Sequence, residues 1–424
     1  MKTRRIGLFL LSALFFGWAA QGVAQTASTP APQSAPAILR AFVERVEISK
    51  KDVPKIIEAA TAAAERNLAQ PLALINVPYG PQPGFAEEMV NRSGGLANAL
   101  PSEERMKQAT PGDTVLFSVR SWESDGAQTL KLLNEYRQQK WMIVLFASKA
   151  GAPTGVQADY WIDNGARTGG PDEAPLNAIV NAMNGHVWCA EFASALTRKG
   201  KHPGVLLSIL EKDSEAHNAL FKDRRQLFPC STPIPAGELA GKYFQAVAQV
   251  VSEVGGTQPQ GQIRAAAEII STHVAAGGKV GLASCDHILM SEITLNGKAP
   301  WTPFNVVWRT ASGAFEKNVG PKDLLVWFGY VGLSTPLEDY GKGMRKSGAK
   351  LISCCAPDTE HPDNNAPDAL ARIDQSWTRP DAAVKIPFPP GCTAAVSGIE
   401  QGLLFRMLDD AVAARLSAAT QPAK

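Results

Sequence analysis

Three hydroxyl groups and a guanidinium follow one apolar run of the sequence. The run "TVLFSV" occupies residues 114–119, and the polar side chains at its end and just beyond it are Ser118, Arg120, Ser121 and Ser124. We predict that a helix begins near Asp125, and hydroxyls gathered at a helix N-terminus can bind an anion or the hydroxyls of a sugar. Ser124 can equally be only the N-cap of that helix. The sequence leaves a ligand site and a simple cap as alternatives.

A glycine-bearing turn follows a second apolar run. The run "LLVWF" leads into "GYVGLSTP" at residues 329–336. Gly329 and Gly332 permit another group to approach the backbone closely, and Ser334 or Thr335 can cap a following helix. That arrangement suits an anion at a helix N-terminus, although the glycines can equally serve only to make a tight turn.

Carboxylates and imidazoles occur in other parts of the sequence. Glu87 and Glu88 occur in "GFAEEM", His287 and Glu292 lie in the second half of the chain, and His217 lies in "SEAHNALF". Such groups can act as general bases and acids. Acidic residues are also favoured in the first turns of helices, and a histidine can be a cap or a partly buried side chain.

The composition is that of a globular protein with two domains. The chain has 424 residues, which is too long for one ordinary core, and it is 45% apolar and 19% charged. It has no basic run that would suggest nucleic acid, and its six histidines are scattered without the spacing of metal ligands. We therefore expect no nucleic-acid partner, no metal and no other cofactor.

The N-terminus has the pattern of a secretory signal. Lys2, Arg4 and Arg5 precede an apolar run at residues 6–20, and small residues follow at 22–24. The run is shorter than the ~20 residues that span a bilayer, which disfavours a membrane anchor. We predict a signal peptide at residues 1–24 and a secreted or periplasmic mature protein with no membrane contact. Removing three positive charges from a net charge of +2 gives −1.

Six cysteines would meet an oxidising compartment if the chain is exported, and the sequence does not choose their pairing. Cys189 lies in the helical pattern "HVWCAEFASALTR", and Cys354 and Cys355 end an apolar run. We expect these three as core thiols rather than as reactive groups.

After a predicted disordered linker at residues 25–37, the chain can be interpreted as two rounds of one pattern. Five segments of the first round have similar segments in the second round, and the residue numbers of each pair differ by 203 to 210. The paired segments are "AAAER" and "AAAEI", "PLALINV" and "GKVGLAS", "GFAEEMVNRSGG" and "ILMSEITLNGKA", "PGDTVLFSV" and "GPKDLLVWFGY", and "KWMIVLFAS" and "GAKLISCCA". Alternating strands and helices predict parallel sheets with ligands at the carboxyl ends of the strands. We predict domains at residues 38–232 and 233–424.

The segments "GDTVLFSVRSWESDGAQTLKLL" and "KDLLVWFGYVGLSTPLEDYGKGMRKSGAKLISCCA" resemble the sugar isomerase (SIS) domain. That domain has a strand ending in Ser-x-Ser-Gly-x-Thr/Ser, then a helix and a strand. The flanking stretches "AEEMVNRSGGL", "WIDNGA" and "SEAHNALF" resemble an uncharacterised bacterial family of SIS proteins. The resemblance implies an α/β fold of two SIS-type (flavodoxin-like) three-layer α/β/α domains with parallel sheets, related by internal duplication.

The sequence also departs from the family pattern. The second-half turn has Gly329-Tyr330-Val331-Gly332 where the family has Ser-x-Ser-Gly, so both serines are gone. Residues 78–83, "PYGPQP", replace the family's glycine–histidine turn. Three prolines there remove N–H donors that a phosphate needs. The second half keeps His287 after Ser284 and places Asp286 before it, and an aspartate there would repel a dianion. Ser284 and Asp286 are further candidates for ligand binding.

With the N-terminal signal, the resemblance implies an exported protein that binds a sugar or sugar derivative, including the option of a sugar phosphate and of aldose–ketose isomerisation. It implies that the proton-transfer residues are Glu87 or Glu88 in the first half and Glu292 with His287 in the second, and it allows His217 to reach across an interface.

The departures and the predicted compartment favour an unphosphorylated or differently charged sugar over a classical sugar phosphate. The alternative is a non-catalytic carbohydrate-binding or a structural protein. Tyr79, Trp122 and Tyr330 can stack on sugar faces, although most aromatic side chains pack in cores. The expected partner is a small carbohydrate or sugar phosphate. The sequence leaves open whether the protein forms a homodimer.

Overall fold

The computed structural model describes residues 36–70, 73–101, 110–170, 173–208, 211–221, 226–284, 304–305, 315–333, 339–377, 381–389 and 391–420. The helices have the bounds α1 Ala37–Ala69, α2 Pro83–Met89, α3 Trp122–Gln138, α4 Ala174–Thr197, α5 Ser214–Ala219, α6 Glu238–Val254, α7 Thr257–Ala275, α8 Phe315–Asn318, α9 Tyr340–Ser347 and α10 Ser397–Thr420. Within these ranges no helix has the length and apolar character that a bilayer-spanning segment needs.

The first sheet has five parallel strands. Their bounds are β1 Ile75–Val77, β2 Ala99–Pro101, β3 Thr114–Ser118, β4 Met142–Ala147 and β5 Tyr160–Asp163. They pair in the order β2-β1-β3-β4-β5. The strands β3 and β4 are apolar along most of their length because helices cover both faces of the sheet.

The second sheet repeats this order. Its strands are β8 Val280–Ser284, β9 Phe304–Asn305, β10 Leu324–Val331, β11 Lys350–Ala356 and β12 Ala371–Asp374. They pair in parallel as β9-β8-β10-β11-β12. Two small antiparallel pairs complete the described strands: β6 Lys201–Pro203 with β7 Leu227–Pro229, and β13 Ala382–Lys385 with β14 Cys392–Ala395.

The two sheets share one central hydrophobic core. Inward side chains of both sheets, such as Leu116 and Val326, belong to a single buried cluster together with residues of α1, α4, α6, α7 and α10. Alternate side chains face outward because successive residues of a strand point to opposite faces. Phe117 packs outward with α3, and Trp327 packs outward with α8 and α9.

The structure confirms the predicted α/β class with parallel sheets. The strands β1, β3, β4, β8, β10 and β11 lie in six of the paired sequence segments, and their sheets have equivalent strand orders. Each sheet takes its strands from one side of residue 232, while the domain boundary itself stays a prediction. The helix α1 begins at Ala37, which is the last residue of the predicted linker. Residues 1–35 lie outside the described ranges.

Candidate functional site

Ser118 is the last residue of β3, and its hydroxyl belongs to a buried hydrogen-bond network. Its Oγ donates to Gln82 Oε1 and accepts from Asn181 Nδ2 at 2.9 Å. The same amide of Asn181 also donates to the carbonyl of Val119 at 2.9 Å. All three side chains are buried, so the hydroxyl predicted for a ligand is already bound by amides of α2's N-terminus and of α4.

The hydrogen-bond donors of the turn after β3 contact the carboxylate of Asp125. Its carboxylate accepts from the Arg120 guanidinium at 3.3 Å, from the Ser124 hydroxyl at 2.8 Å and from the Ser121 backbone N–H at 3.4 Å. These groups are the ones that an anion at the N-terminus of α3 would use. A side chain of the protein therefore takes the place predicted for a ligand anion.

The position of α3 corrects one expectation. The helix begins at Trp122 rather than near Asp125, and Ser121 is its N-cap residue with an extended backbone. Asp125 thus lies in the first turn, where a carboxylate is favoured by the helix dipole, and Ser124 lies inside the helix.

A cavity of about 440 Å³ lies on the other side of the start of α4 from this turn's hydrogen bonds with Asn177. It lies between the first half of α1, the start of α4 and the loop after β5, at the carboxyl edge of the first sheet. Arg45 on its wall contacts Glu173 at 2.6 Å and also donates to Asn177. Asn177 in turn donates to the Arg120 carbonyl at 2.5 Å, which links the cavity wall to the turn after β3.

The guanidinium groups that line this cavity are largely neutralised by carboxylates. Besides the Arg45–Glu173 pair, Arg167 contacts Glu44 at 2.7 Å and Arg406 contacts Asp409 at 2.7 Å. Partial burial opposes the charge of Glu173, but hydrogen bonds from Thr168 and the backbone, with Arg45 nearby, lower its pKa to about 2. The wall therefore offers paired donors and acceptors, and Arg40 adds a further guanidinium to it.

Glu88 lies in a buried ionic cluster between the two halves of the chain. Only 1% of it is exposed, and its Oε2 accepts from Arg92 and lies 3.2 Å from His186 Nε2. Arg92 also donates to Asp381 at 2.9 Å and to Ser397 Oγ at 3.1 Å. One guanidinium thus joins a carboxylate of the first half to one of the second.

The second oxygen of Glu88 is packed against α10. A Cβ placed on Gly398 would lie 2.5 Å from Glu88 Oε1, so a glycine is required there. Glu87, its neighbour, is half-buried. The His217 ring nitrogen Nε2 lies 3.0 Å from the carbonyl of Val205, and its ring makes an edge contact with Phe221. The described candidates for proton transfer are thus not brought together around one opening.

The turn after β10 is also occupied by the protein's own groups. The Gly329 carbonyl accepts from Gln375 at 3.0 Å and from Gln401 at 2.9 Å. Gly332 has a φ of 59°, and a Cβ there would lie 2.8 Å from the Asn364 backbone oxygen, so both its conformation and its surroundings require glycine.

Several predicted residues of the second half lie outside the described ranges: Asp286, His287, Glu292, Ser334 and Thr335. Ser284 is described, and it is buried at the end of β8 beside Phe328 of β10. The described helix after the turn begins at Tyr340 and is capped by Asp339, whose side chain accepts from the Lys342 N–H at 2.8 Å.

Sequence comparisons identify no family. No protein-family model matches the chain, and no curated protein matches it in sequence. Solved structures do match. A candidate sugar binding protein from Salmonella typhimurium LT2 aligns with a TM-score of 0.52 at 10% identity, covering 89% of this chain and 98% of that one.

The chain has the sugar isomerase (SIS) fold. Two other SIS structures align over similar lengths. The C-terminal domain of glucosamine-fructose-6-phosphate aminotransferase from Francisella tularensis gives a TM-score of 0.49 at 12% identity, covering 90% of this chain and 95% of that one. Tagatose-6-phosphate ketose/aldose isomerase from Escherichia coli gives 0.47 at 12% identity, covering 93% and 97%.

In this SIS fold, α4 carries polar residues that the sequence analysis did not single out. Asn177, Asn181 and His186 are buried on a helix whose surroundings are mainly apolar, and each contacts one of the candidate residues. The signal was present in "LNAIVNAMNGHVW", where Asn177, Asn181 and Asn184 recur at helical spacing within an apolar stretch.

The aromatic side chains near the strand ends have different surroundings. Trp122 is buried, donates to the Ser148 carbonyl at 2.7 Å and packs edge-on against Trp161. Tyr330 packs on Trp377 with ring centroids 4.3 Å apart. Tyr79 is 39% exposed and is the member of the three that presents most surface to a ligand.

Three of the described thiols are buried in the core. Cys189, Cys354 and Cys355 are buried and unbridged, as expected, and burial raises the pKa of Cys189 to about 12 and that of Cys355 to about 11. Among the described residues no group of three histidine, cysteine or acidic side chains is placed to hold a metal ion.

Proposed function

We propose that the protein binds a neutral carbohydrate in the cavity at the carboxyl edge of the first sheet and does not isomerise it. The observation that carries this proposal is the position of Asp125, whose carboxylate already accepts from Arg120, Ser121 and Ser124. A phosphate brought to the same donors would be repelled by that carboxylate. The classical sugar phosphate is therefore disfavoured as the ligand.

The cavity at the carboxyl edge has the chemistry that sugar hydroxyls need. Its pairs of guanidinium and carboxylate groups, such as Arg45 with Glu173, present hydrogen-bond donors and acceptors side by side. Ile48 and Leu176 add apolar surface, and a volume of about 440 Å³ lies in the usual range for small-molecule sites. A solved neighbour of this fold is a candidate sugar binding protein, which agrees with the proposal.

A ligand screen by thermal shift tests this function. The panel contains neutral mono- and disaccharides, uronic acids, amino sugars and sugar phosphates. A neutral sugar at a hundred times its Kd should stabilise the protein by about 2.7 kcal/mol. Stabilisation by sugar phosphates alone would contradict the proposal. A panel in which no compound shifts the melting temperature would also contradict it.

A matched pair of variants locates the binding. Ala41 lies on the cavity wall, and Ala41→Trp fills that space, whereas Ala275 is exposed near the end of α7 and Ala275→Trp serves as the control. The stabilisation by the sugar should disappear in the first variant and persist in the second. A response that survives Ala41→Trp would place the sugar elsewhere.

Aldose–ketose isomerisation is a second candidate function, favoured by one contact. Glu88 Oε2 and His186 Nε2 lie 3.2 Å apart, and a carboxylate beside an imidazole can move a proton between adjacent carbons. Burial of both groups and the Arg92 contact disfavour it. The test is conversion of any sugar that binds, followed by NMR. Turnover that is lost in Glu88→Gln while binding remains would establish the isomerase.

We further propose that the protein is exported, on the evidence of residues 1–24. The basic, apolar and small-residue order of that segment supports a cleaved signal. N-terminal sequencing of the protein recovered outside the cytoplasm should begin at or near Gln25. Recovery of the intact N-terminus from the cytoplasm alone would contradict export.

A further inference from the structure

The buried ionic cluster between the two halves has an unbalanced charge if its histidine is neutral. Glu88 and Asp381 are each 1% exposed, and the guanidinium of Arg92 is shared between their carboxylates. Within the part of the chain that the structure describes, the one other ion-pair contact of either carboxylate is that of Glu88 Oε2 with His186 Nε2, at 3.2 Å. Two carboxylates and one guanidinium leave one negative charge in excess.

Other groups around the cluster do not change this charge. Tyr243 of α6 packs on the His186 ring with centroids 5.8 Å apart, and its hydroxyl donates to a backbone carbonyl of β14 at 2.8 Å. Burial raises the pKa of Tyr243 and that of Cys189, three residues along α4 from His186, so both groups are neutral. The hydroxyl of Ser397 from α10 donates to Asp381 at 2.5 Å and is also uncharged.

Excess charge in this position is costly because the cluster is closed to water. Glu88 Oε1 and Asp381 Oδ1 are buried and have no hydrogen-bond partner among the described residues. A buried carboxylate without full compensation is strongly destabilising. A second proton on the His186 imidazole would remove the excess, since Nε2 lies within hydrogen-bond distance of Glu88 Oε2 and would then donate to it.

We propose that His186 is an imidazolium in the folded protein at neutral pH, so that the cluster has no net charge. In that state Glu88, Arg92 and His186 of the first half together carry one positive charge in excess, which faces the carboxylate of the second half. The proton of His186 thus adds an attraction between the halves that a neutral ring would not provide. No ligand takes part, so the proposal is independent of the function proposed above.

The proton makes this attraction depend on pH. An ordinary imidazole releases its proton at about pH 6.5, and the unfolded chain should do the same. The folded chain should keep the proton of His186 to a higher pH. The stability that this group contributes is therefore complete below that pH and is lost as the pH rises above it, because the folded state then binds more protons than the unfolded state.

Nitrogen NMR of the full chain, labelled with ¹⁵N-histidine, observes the charge state directly. The two ring nitrogens of an imidazolium have similar chemical shifts, whereas those of a neutral ring differ widely. The signal that disappears in His186→Gln is assigned to His186, and substituting the other histidines one at a time gives the same assignment if that variant does not fold. Similar shifts are expected at pH 7.5, where about a tenth of ordinary imidazoles are charged. Widely separated shifts would overturn the proposal.

Two substitutions test the charge balance by urea denaturation at the same pH. In the wild type Glu88→Gln leaves one positive charge in excess and should raise the equilibrium constant for unfolding by at least about tenfold. In His186→Gln the same substitution removes an excess negative charge and should lower that constant by about tenfold. Glu123→Gln, which removes an exposed carboxylate elsewhere, should have the same small effect in both backgrounds. If Glu88→Gln stabilises both backgrounds, His186 is neutral and the proposal fails.

The pH dependence of the same measurement completes the test. Between about pH 6.5 and about pH 8 the unfolding constant of the wild type should rise relative to that of His186→Gln, by up to about tenfold per pH unit. A ratio that stays constant across this range would mean that folding does not raise the proton affinity of His186, and it would contradict the proposal.

Discussion

Arg92 of the first half and Asp381 of the second form an ion pair 2.9 Å long that is closed to solvent. The same guanidinium contacts Glu88, so a single cation compensates two buried carboxylates. Since its removal would leave both charges without their partner, Arg92→Met should lower the free energy of unfolding by about 3–5 kcal/mol. Urea denaturation followed by circular dichroism measures this change.

The exposed pair Arg372–Asp374 provides the control for that experiment. Its atoms lie 3.1 Å apart, but both side chains are about a third or more accessible. Solvent screens such pairs, so Arg372→Met should change stability by no more than about 1 kcal/mol. Similar effects of the two substitutions would show that the buried cluster does not hold the halves together.

Asp125→Ala should create an anion-binding site in the turn after β3, where the Asp125 carboxylate now accepts the hydrogen bonds. The donors of Arg120, Ser121 and Ser124 would lose their carboxylate, and an anion at the N-terminus of α3 could replace it. Inorganic phosphate should then raise the melting temperature of the variant and leave the wild type unchanged. Glu123→Ala, which removes an exposed carboxylate from the same turn, should also show no response. A phosphate response in the wild type would contradict the role given to Asp125.

Glu400 should make stability depend on pH. Burial raises its pKa to about 7, although the Ser376 N–H and hydroxyl donate to it at 2.6 and 2.9 Å. The folded state therefore keeps a proton that the unfolded chain releases near pH 4.5, and stability falls as the pH rises from about 4.5 to about 7. Glu400→Gln should remove this decline, with a relative gain of up to about 3 kcal/mol above pH 7.

The measurement is the difference in unfolding free energy between Glu400→Gln and the wild type across that pH range. Other titrating groups contribute equally to both proteins and cancel. A difference that stays constant between pH 4.5 and 7 would mean that the Glu400 carboxyl is not perturbed.

Two glycines inside helices should respond to alanine in opposite directions. A Cβ on Gly185 of α4 would lie 2.7 Å from the Met89 sulfur and 2.9 Å from the Phe85 ring, whereas Gly241 of α6 has open space around it. Gly185→Ala should destabilise by about 1–3 kcal/mol through overpacking. Gly241→Ala should stabilise by up to about 1 kcal/mol, because alanine favours a helix. Thermal unfolding of both variants checks this, and effects of equal sign would contradict the packing of α4 on α2.

Local patterns predicted the fold better than the site. The apolar runs around Val115 and Val326 are buried on both faces, so the hydrophobic effect alone marks them as strands of covered parallel sheets. The start of α3 was misplaced by three residues because Ser121 and Ser124 have the same capping preference. The choice between them depends on where the strand ends, which is a property of the folded chain.

The contacts of the candidate site depend on distant parts of the chain. Glu88 meets His186 across 98 residues, and Arg92 meets Asp381 across 289. No spacing rule along one chain links such pairs, whereas a resemblance could suggest only which strand ends matter. Asp125 was visible in the sequence, but the direction of its side chain toward the preceding turn is set by the geometry of the first turn of α3.

The shared core has a consequence for biosynthesis. Leu403, Leu404 and Leu408 of α10 are buried in the same cluster as side chains of α1 and of the first sheet. Since α10 is near the C-terminal end of the described chain, this core cannot be completed before α10 has been synthesised. An incomplete core of this kind would suit the export that we propose from residues 1–24.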